Sequence, residues 1–246
     1  MATYPVVDRK YFVSEKVDAT PEVIIIGFKP EDGKPNAFDP GMFMMLSGID
    51  KQTGERHVAR ALSIASDPSA VNMEFFIIKN PTHGEHIGRS HFNDVEIGDT
   101  FMLKGPSGQF KFDPNKDSKV LFIAGGTGLA PFMSMLRHMR IVNAATEVIM
   151  LYSVKFPTEI IKKEELDSLQ QQLKFKLTVT VTRPAEGDGW SGQTGHVDAP
   201  MIQKYAPDFT ERMCYVCGPL AFVKAVKDAL AQLKVPPQRI SADVWG

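Results

Sequence analysis

The sequence predicts an antiparallel β-barrel over residues 1–112, followed by an α/β half, a parallel sheet wound on both faces, over residues 119–246. Three observations predict it. The first ~115 residues are short apolar runs separated by Gly, Pro, Asp and Ser, with little helical periodicity. Beyond residue 119, strand-like runs alternate with helix-like ones, which requires a parallel sheet carrying helices on its faces. Between the halves lies "KFDPNKDSK" (Lys111–Lys119), polar and proline-bearing, as a domain junction is.

In the first half, "VIIIGF" (Val23–Phe28), "MFMMLSG" (Met42–Gly48), "RALSIAS" (Arg60–Ser66), "MEFFIIK" (Met73–Lys79) and "TFMLKG" (Thr100–Gly105) read as strands. The segments "KPEDGKPNAFDPG", "DKQTGE" and "SDPSA" between them carry turn chemistry. Short antiparallel strands at this spacing build a barrel or a sandwich, and the barrel is the expectation here. In the second half, Val120–Ala124 leads to a helix over Pro131–Val142, and Val148–Ser153 to a helix over Lys163–Leu173. Strands Lys176–Thr182 and Met213–Cys217, a helix over Leu220–Leu233 and a short strand Arg239–Ala242 complete the series.

Composition narrows the function classes. At 43% hydrophobic and 23% charged residues, this is the composition of a globular protein with a sizeable core. Lys and Arg number 28 against 29 Asp and Glu, so no global field draws the chain to nucleic acid or an anionic membrane. No apolar run reaches the ~18 residues of a membrane span. The N-terminal "MATYPVVDRKYFVSEKV" has charges where a signal peptide needs an apolar core, so a cytoplasmic protein is expected. The two cysteines, Cys214 and Cys217, cannot hold a four-thiolate iron–sulfur cluster within this chain. Their C-x-x-C spacing invites a redox reading. On a strand, however, residues three apart point to opposite faces, which separates the thiols. His83, His86 and His91 invite a metal reading, but they lack a Cys partner and helical i,i+4 pairing, so no metal is expected.

The stretch "VLFIAGGTGLAPFMSMLRHM" (Val120–Met139) is the most informative. Gly125, Gly126 and Gly128 follow a buried strand, and Pro131 suits the first turn of the helix that begins there. Such a turn offers backbone N–H groups and a helix dipole to an anion at the carboxyl end of a parallel strand. It is also what a tight structural turn looks like. The pattern is G-x-G-x-x-P, without the third glycine of the dinucleotide fingerprint. The next strand, "VIMLYSVK", ends in Ser153 and Lys155 where that fingerprint has an acid. "YVCGPLAF" (Tyr215–Phe222) supplies a second strand end opening into a helix through Gly218 and Pro219. Two such turns on neighbouring strands would embrace one extended ligand. Cys217 would then stand at the rim, or serve as a small buried hydrophobe.

Taken in order, "RALSIAS", "GPSGQF", "GGTGLAPF" and "CGPLAF" resemble the ferredoxin–NADP reductase family of flavin-dependent oxidoreductases, over nearly the whole chain. The resemblance implies FAD, in preference to FMN, on the barrel, and NADPH or NADH on a Rossmann-like domain. The family pattern R-x-[Tyr/Phe]-[Ser/Thr] falls on Arg60, Ala61, Leu62 and Ser63. It gives Arg60 a flavin phosphate, which suits a guanidinium fork, and gives Ser63 the flavin N5. Leu62 stands at a position that is usually aromatic. Ile78 is counted with the flavin contacts. In "HGEHIGRSHF", Gly88, Arg89 and Ser90 resemble the second flavin segment, which caps the pyrophosphate.

By the same resemblance Gly125, Gly126, Thr127, Gly128 and Pro131 cradle the nicotinamide dinucleotide pyrophosphate, with Gly218 and Pro219 alongside. Thr127 and Cys217 lie near the nicotinamide. Ser153, Lys155 and Arg183 stand where an adenine 2′-phosphate is read, which leans toward NADPH. Trp245 stacks on the isoalloxazine, and Asp243 is a nearby polar or proton-relaying group. Ser63, Cys217, Asp243 and Trp245 form the expected catalytic set.

The implied reaction is hydride transfer from nicotinamide C4 to flavin N5 across a cleft between the domains, after which electrons leave singly. No general acid–base pair is demanded. The acceptor would be a separate carrier: a ferredoxin, a flavodoxin or an oxygenase component. Two alternatives stand beside this one. The first is a flavin or ferric-chelate reductase with a diffusible acceptor. The second is a nucleotide-binding subunit of a larger redox complex.

Overall fold

The computed structural model describes residues 4–79, 92 and 94–245. In the first half, β1 (Val7–Thr20), β2 (Val23–Pro30), β3 (Phe43–Gly48), β4 (Arg60–Ser63), β5 (Met73–Ile78) and β6 (Thr100–Ser107) pair antiparallel in the order β4-β3-β6-β1-β2-β5. The two end strands also meet. Just beyond β4, the Ala65 N–H donates to the Glu74 carbonyl of β5 at 2.8 Å, which curls the sheet toward a barrel.

β1 is the long strand missing from the sequence reading. Tyr11 and Val13 point into the barrel, while Glu15, Lys16 and Asp18 lie outside. Its charges disguise it, yet both of its edges are paired, with β2 and with β6. The unbroken apolar run of β2 has its own reason, since both of its faces are covered. Ile24, Ile26 and Phe28 fill the barrel with Met44, Leu46, Phe75 and Phe101. Val23 and Ile25 join Ala65 and Phe76 in a second cluster, shared with the α/β half.

That half comprises β7 (Lys119–Gly125), α1 (Ala130–Ile141), β8 (Glu147–Val154), α2 (Lys163–Gln172), β9 (Phe175–Val181), β10 (Gln193–Thr194), α3 (Ala199–Tyr205), β11 (Met213–Pro219), α4 (Leu220–Gln232) and β12 (Ile240–Trp245). The parallel sheet runs β10-β9-β8-β7-β11-β12. β8, β9 and β10 are added on one side of β7, and β11 and β12 on the other, so the order reverses between β7 and β11. Ligands bind at such a reversal, beyond the carboxyl ends of the strands. The sequence reading missed α3, which Asp198 caps by accepting from the Met201 N–H at 2.8 Å. β12 runs to Trp245, three residues past its expected end.

α1 is sandwiched between this sheet and the barrel. From Ala130 to Leu136 every residue is buried, which explains why "APFMSML" shows no polar face. The junction between the halves is fastened as well. Phe110 and Phe112 are buried edge-on to Tyr215, and the Tyr215 hydroxyl donates to the Lys111 carbonyl (3.1 Å) and to Asp117 (2.7 Å).

Candidate functional site

A crevice of about 290 Å³ opens between the two halves. One wall is barrel: Ala59, all of β4 (Arg60, Ala61, Leu62, Ser63), the end of β5 (Phe76, Ile77, Ile78) and Phe92. The other is Thr127, Ala130 and Trp245 of the α/β half. The lining is mostly apolar with a few polar groups, which suits a flat aromatic ligand. Leu62 packs partly into the barrel core. The aromatic surface is supplied instead by Phe76, Phe92 and Trp245.

Beside the crevice the two glycine turns abut. Gly126 is left-handed (φ +54°), and a tight helical turn over Gly126–Leu129 runs straight into α1, whose first turn holds Pro131. A Cβ on Gly128 would lie 2.4 Å from the Cys217 carbonyl oxygen and 2.8 Å from Gly218 Cα. The Phe222 ring, one turn into α4, lies 2.9 Å from where a Cβ on Gly125 would stand and 2.7 Å from its counterpart on Gly218. The glycines therefore let two strand ends meet backbone to backbone. Phe222 sits inside the quoted motif "CGPLAF" but carried no assignment from sequence.

The polar side chains converge from both halves. In the parallel register Cys217 pairs with Asp243, and Pro219 with Trp245. Cys217 and Trp245 join the core cluster shared with the barrel. The Ser63 hydroxyl of β4 stands close enough to the Asp243 carboxyl to favour its ionised form. Burial raises the Asp243 carboxyl above its usual value, and the Val244 N–H and Ser63 only partly oppose this. Burial, helped by the Asp243 charge, also pushes the Cys217 thiol well above its ordinary range. Cys217 is therefore a neutral thiol, not a thiolate nucleophile. Cys214 faces the opposite core, so the two thiols stand on opposite faces of the sheet. The indole Nε1 of Trp245 is buried without a hydrogen-bond partner among the described residues.

Ser153, Lys155 and Arg183 gather at the carboxyl ends of β8 and β9. Ser153 is buried, and the Arg183 N–H donates to the Lys155 carbonyl at 2.9 Å. Two acids accompany them that the sequence reading did not name. Glu159 accepts from the Lys155 N–H (3.0 Å), and Glu22 of the barrel lies 3.6 Å from Lys155 Nζ. Gly88, Arg89 and Ser90, like His83, His86 and His91, lie outside the described residues. Among the described residues no group of three or more metal-ligating side chains occurs. Ala59, Phe76, Ile77, Phe92 and Ala130 line the crevice without having been singled out. The strand alternation that buries Phe76 was the one available signal for them. A larger groove of about 780 Å³ lies elsewhere, between the 111–117 segment and the turn after α1. It shares no lining residue with the crevice.

Residues 122–228 match the oxidoreductase NAD-binding domain family. The glycine betaine monooxygenase reductase subunit of Pseudomonas aeruginosa is 31% identical over 194 residues, 78% of this chain and 52% of that protein. The chain thus spans about half the length of that relative. Ferredoxin–NADP reductase B of Sorangium cellulosum is 30% identical over 231 residues, covering 91% of this chain and 92% of that one. The chain belongs to the ferredoxin–NADP reductase family. The fold agrees: the FAD/NAD-binding domain of nitric oxide dioxygenase from Vibrio cholerae superimposes with a TM-score of 0.83 at 21% identity, over 97% of this chain and 98% of that one.

FAD and NAD(P)H are the cofactors of a ferredoxin–NADP reductase, and the residues present fit them. The glycine cradle leaves open space above Gly126, where no atom of the described residues beyond its chain neighbours lies within 4 Å of a Cβ position. The buried, unpartnered Trp245 Nε1 and the apolar walls with Arg60 at one edge are what a ring bearing phosphates requires.

Proposed function

We propose that this chain takes hydride from NAD(P)H onto FAD and delivers electrons one at a time to a separate redox protein, a ferredoxin, a flavodoxin or an oxygenase component. The observation that carries the reading is the crevice walled by both halves, with Ser63 on its barrel wall and Thr127 and Trp245 on the other. When bound, the flavin supplies the conversion of a two-electron donor into single electrons. The division of labour follows the fold, with residues 1–112 for the flavin and 119–246 for the nucleotide.

The side chains take these parts. Arg60 holds a flavin phosphate, and Gly88, Arg89 and Ser90 are assigned to the same pyrophosphate. Ala61, Leu62 and Ile78 line the ring and exclude water. Ser63 offers its hydroxyl to the reacting nitrogen. Asp243, whose carboxyl is raised by burial, stands beside Ser63 as the polar or proton-relaying group. Trp245 covers the ring until nicotinamide takes its place. Thr127 and the neutral Cys217 border the nicotinamide, and Gly125, Gly126, Gly128 and Pro131 face the pyrophosphate with Gly218 and Pro219. Ser153, Lys155 and Arg183 read a 2′-phosphate, favouring NADPH. Two free thiols, and no helix among the described residues long and apolar enough to cross a membrane, accord with a cytoplasmic reductase.

The test is spectroscopic. Purified protein loaded with FAD should be yellow, and NADPH or NADH added anaerobically should bleach it. A protein that takes up no flavin overturns the reading. Turnover with free FMN or ferric chelate, but with no ferredoxin, flavodoxin or oxygenase component, replaces the protein acceptor with a diffusible one.

A further inference from the structure

We infer that Arg137 is the positioning residue that sets the gap between the two walls of the crevice. The inference rests on the hydride-transfer reading above. Arg137 lies on α1, and its side chain is only 12% exposed. Its Nε and Nη2 donate to the two carboxylate oxygens of Glu165 on α2, each at 2.7 Å, which fixes the guanidinium plane within the α/β half. The remaining nitrogen, Nη1, reaches across to the barrel. It donates to Glu74 Oε1 of β5 at 2.7 Å and to the Ala65 carbonyl, just beyond β4, at 2.9 Å. The other oxygen of Glu74 lies 3.4 Å from Lys162 Nζ, so one barrel carboxylate is bracketed by two cations of the opposite half.

The position of this fork is what matters. β4 and β5 carry the barrel wall of the crevice, and Arg137 bonds to β5 itself and to Ala65, two residues past the end of β4. The other wall is Thr127, Ala130 and Trp245: Ala130 opens α1, two helical turns from Arg137 on one buried rod, and Thr127 lies in the tight turn that runs into it. The apolar contact between the halves cannot set this spacing, because burial of Val23, Ile25, Ala65 and Phe76 against α1 is non-directional. A planar fork with fixed donors can. The neighbouring contacts are weaker candidates. His138 Nδ1 lies 3.3 Å from Asp67, and the Lys155–Glu22 pair is half exposed at 3.6 Å.

Arg137→Gln and Glu74→Gln are the variants to make, with Arg137→Lys keeping the charge but not the fork. In FAD-loaded protein, the rate of flavin bleaching at saturating nucleotide should fall about 10- to 100-fold in both, as an ångström-scale misplacement does. The half-saturating nucleotide concentration should stay within about threefold, because the nucleotide's own contacts are intact. The long-wavelength charge-transfer band of the flavin–nicotinamide complex should weaken, and Arg137→Lys should fall between the two limits.

A second readout needs no cofactor. Spin labels at Lys29→Cys and Lys227→Cys, both exposed, report the distance between the halves, since the native thiols are buried. The distribution should be narrow in the parent and broad in Arg137→Gln. If Arg137→Gln fails to fold, Glu74→Gln decides. Unchanged bleaching rates and unchanged distance distributions in folded variants overturn the inference. A parent protein that never bleaches overturns the flavin reading instead, and the label distances still judge Arg137.

Discussion

Asp243 of β12, paired with Cys217 in the parallel register, stands close enough to Ser63 of β4 for that hydroxyl to favour its ionised form. Ser63 lines the crevice, so a titrating group stands at its mouth, and the Arg137 fork also crosses between the halves.

Burial raises the Asp243 carboxyl from its ordinary 3.8. A carboxyl raised on folding adds stability that is complete below its unfolded value and is lost as pH rises through the folded one. At neutral pH the ionised group therefore opposes folding, and Asp243→Asn in the cofactor-free protein should match or exceed the parent in stability at pH 7. Lowering the pH to about 4 should restore the parent relative to the variant. Urea midpoints over this range check the sign, and an equal deficit for the variant at both ends contradicts it.

Ser63→Ala should slow anaerobic flavin reduction about 10²-fold, the usual loss for one donor aimed at the reacting atom. Flavin content should be unchanged. Ser63→Thr keeps the hydroxyl and should recover most of the rate in stopped-flow measurements.

Gly128→Ala drives a Cβ to 2.4 Å from the Cys217 carbonyl, a backbone atom that has no room to yield. It should cost about 1–3 kcal/mol in denaturant unfolding. Gly126→Ala meets open space and suffers only from its positive φ, at about 1–2 kcal/mol.

On the proposed reading, Trp245→Ala removes the cover that nicotinamide has to displace. KM for NAD(P)H should fall about tenfold, because the binding-competent arrangement no longer has to be reached first. The absorbance and fluorescence of bound FAD should change as well. Identical spectra and kinetics would place the indole away from the ring.

On the proposed reading, the basic pair at the ends of β8 and β9 sets coenzyme choice. Lys155→Glu with Arg183→Gln should raise KM for NADPH about tenfold or more, through loss of charge-assisted hydrogen bonds, and leave NADH within about twofold. Parallel initial-rate assays with both coenzymes decide it.

Local patterning made much of the fold legible. An apolar run ending in Gly125 or Gly218 marks a buried strand followed by a turn, and both turns were found where the sheet order reverses. β1 escaped because its outward charges hide an inward alternation that shows only once its two partners are known. At the site, Arg60 to Ser63, Thr127 and Trp245 line the crevice, while Cys217 and Asp243 pair on the adjoining strands and do not line it. Phe76 and Phe92 did not announce themselves, since a core phenylalanine and a crevice phenylalanine look the same in sequence. Nor did Arg137. Its barrel partner Glu74 is 63 positions away, and no local pattern encodes an ion pair across two domains.

Cys214 and Cys217 are buried in different layers, one toward α3 and α4 and the other toward α1 and the barrel. Thiol-reactive probes can reach each only when its own layer opens. The native chain thus carries two built-in clocks. The relative labelling rates of the two thiols would time the loosening of the interface with the barrel separately from that of the outer helices, with no residue replaced.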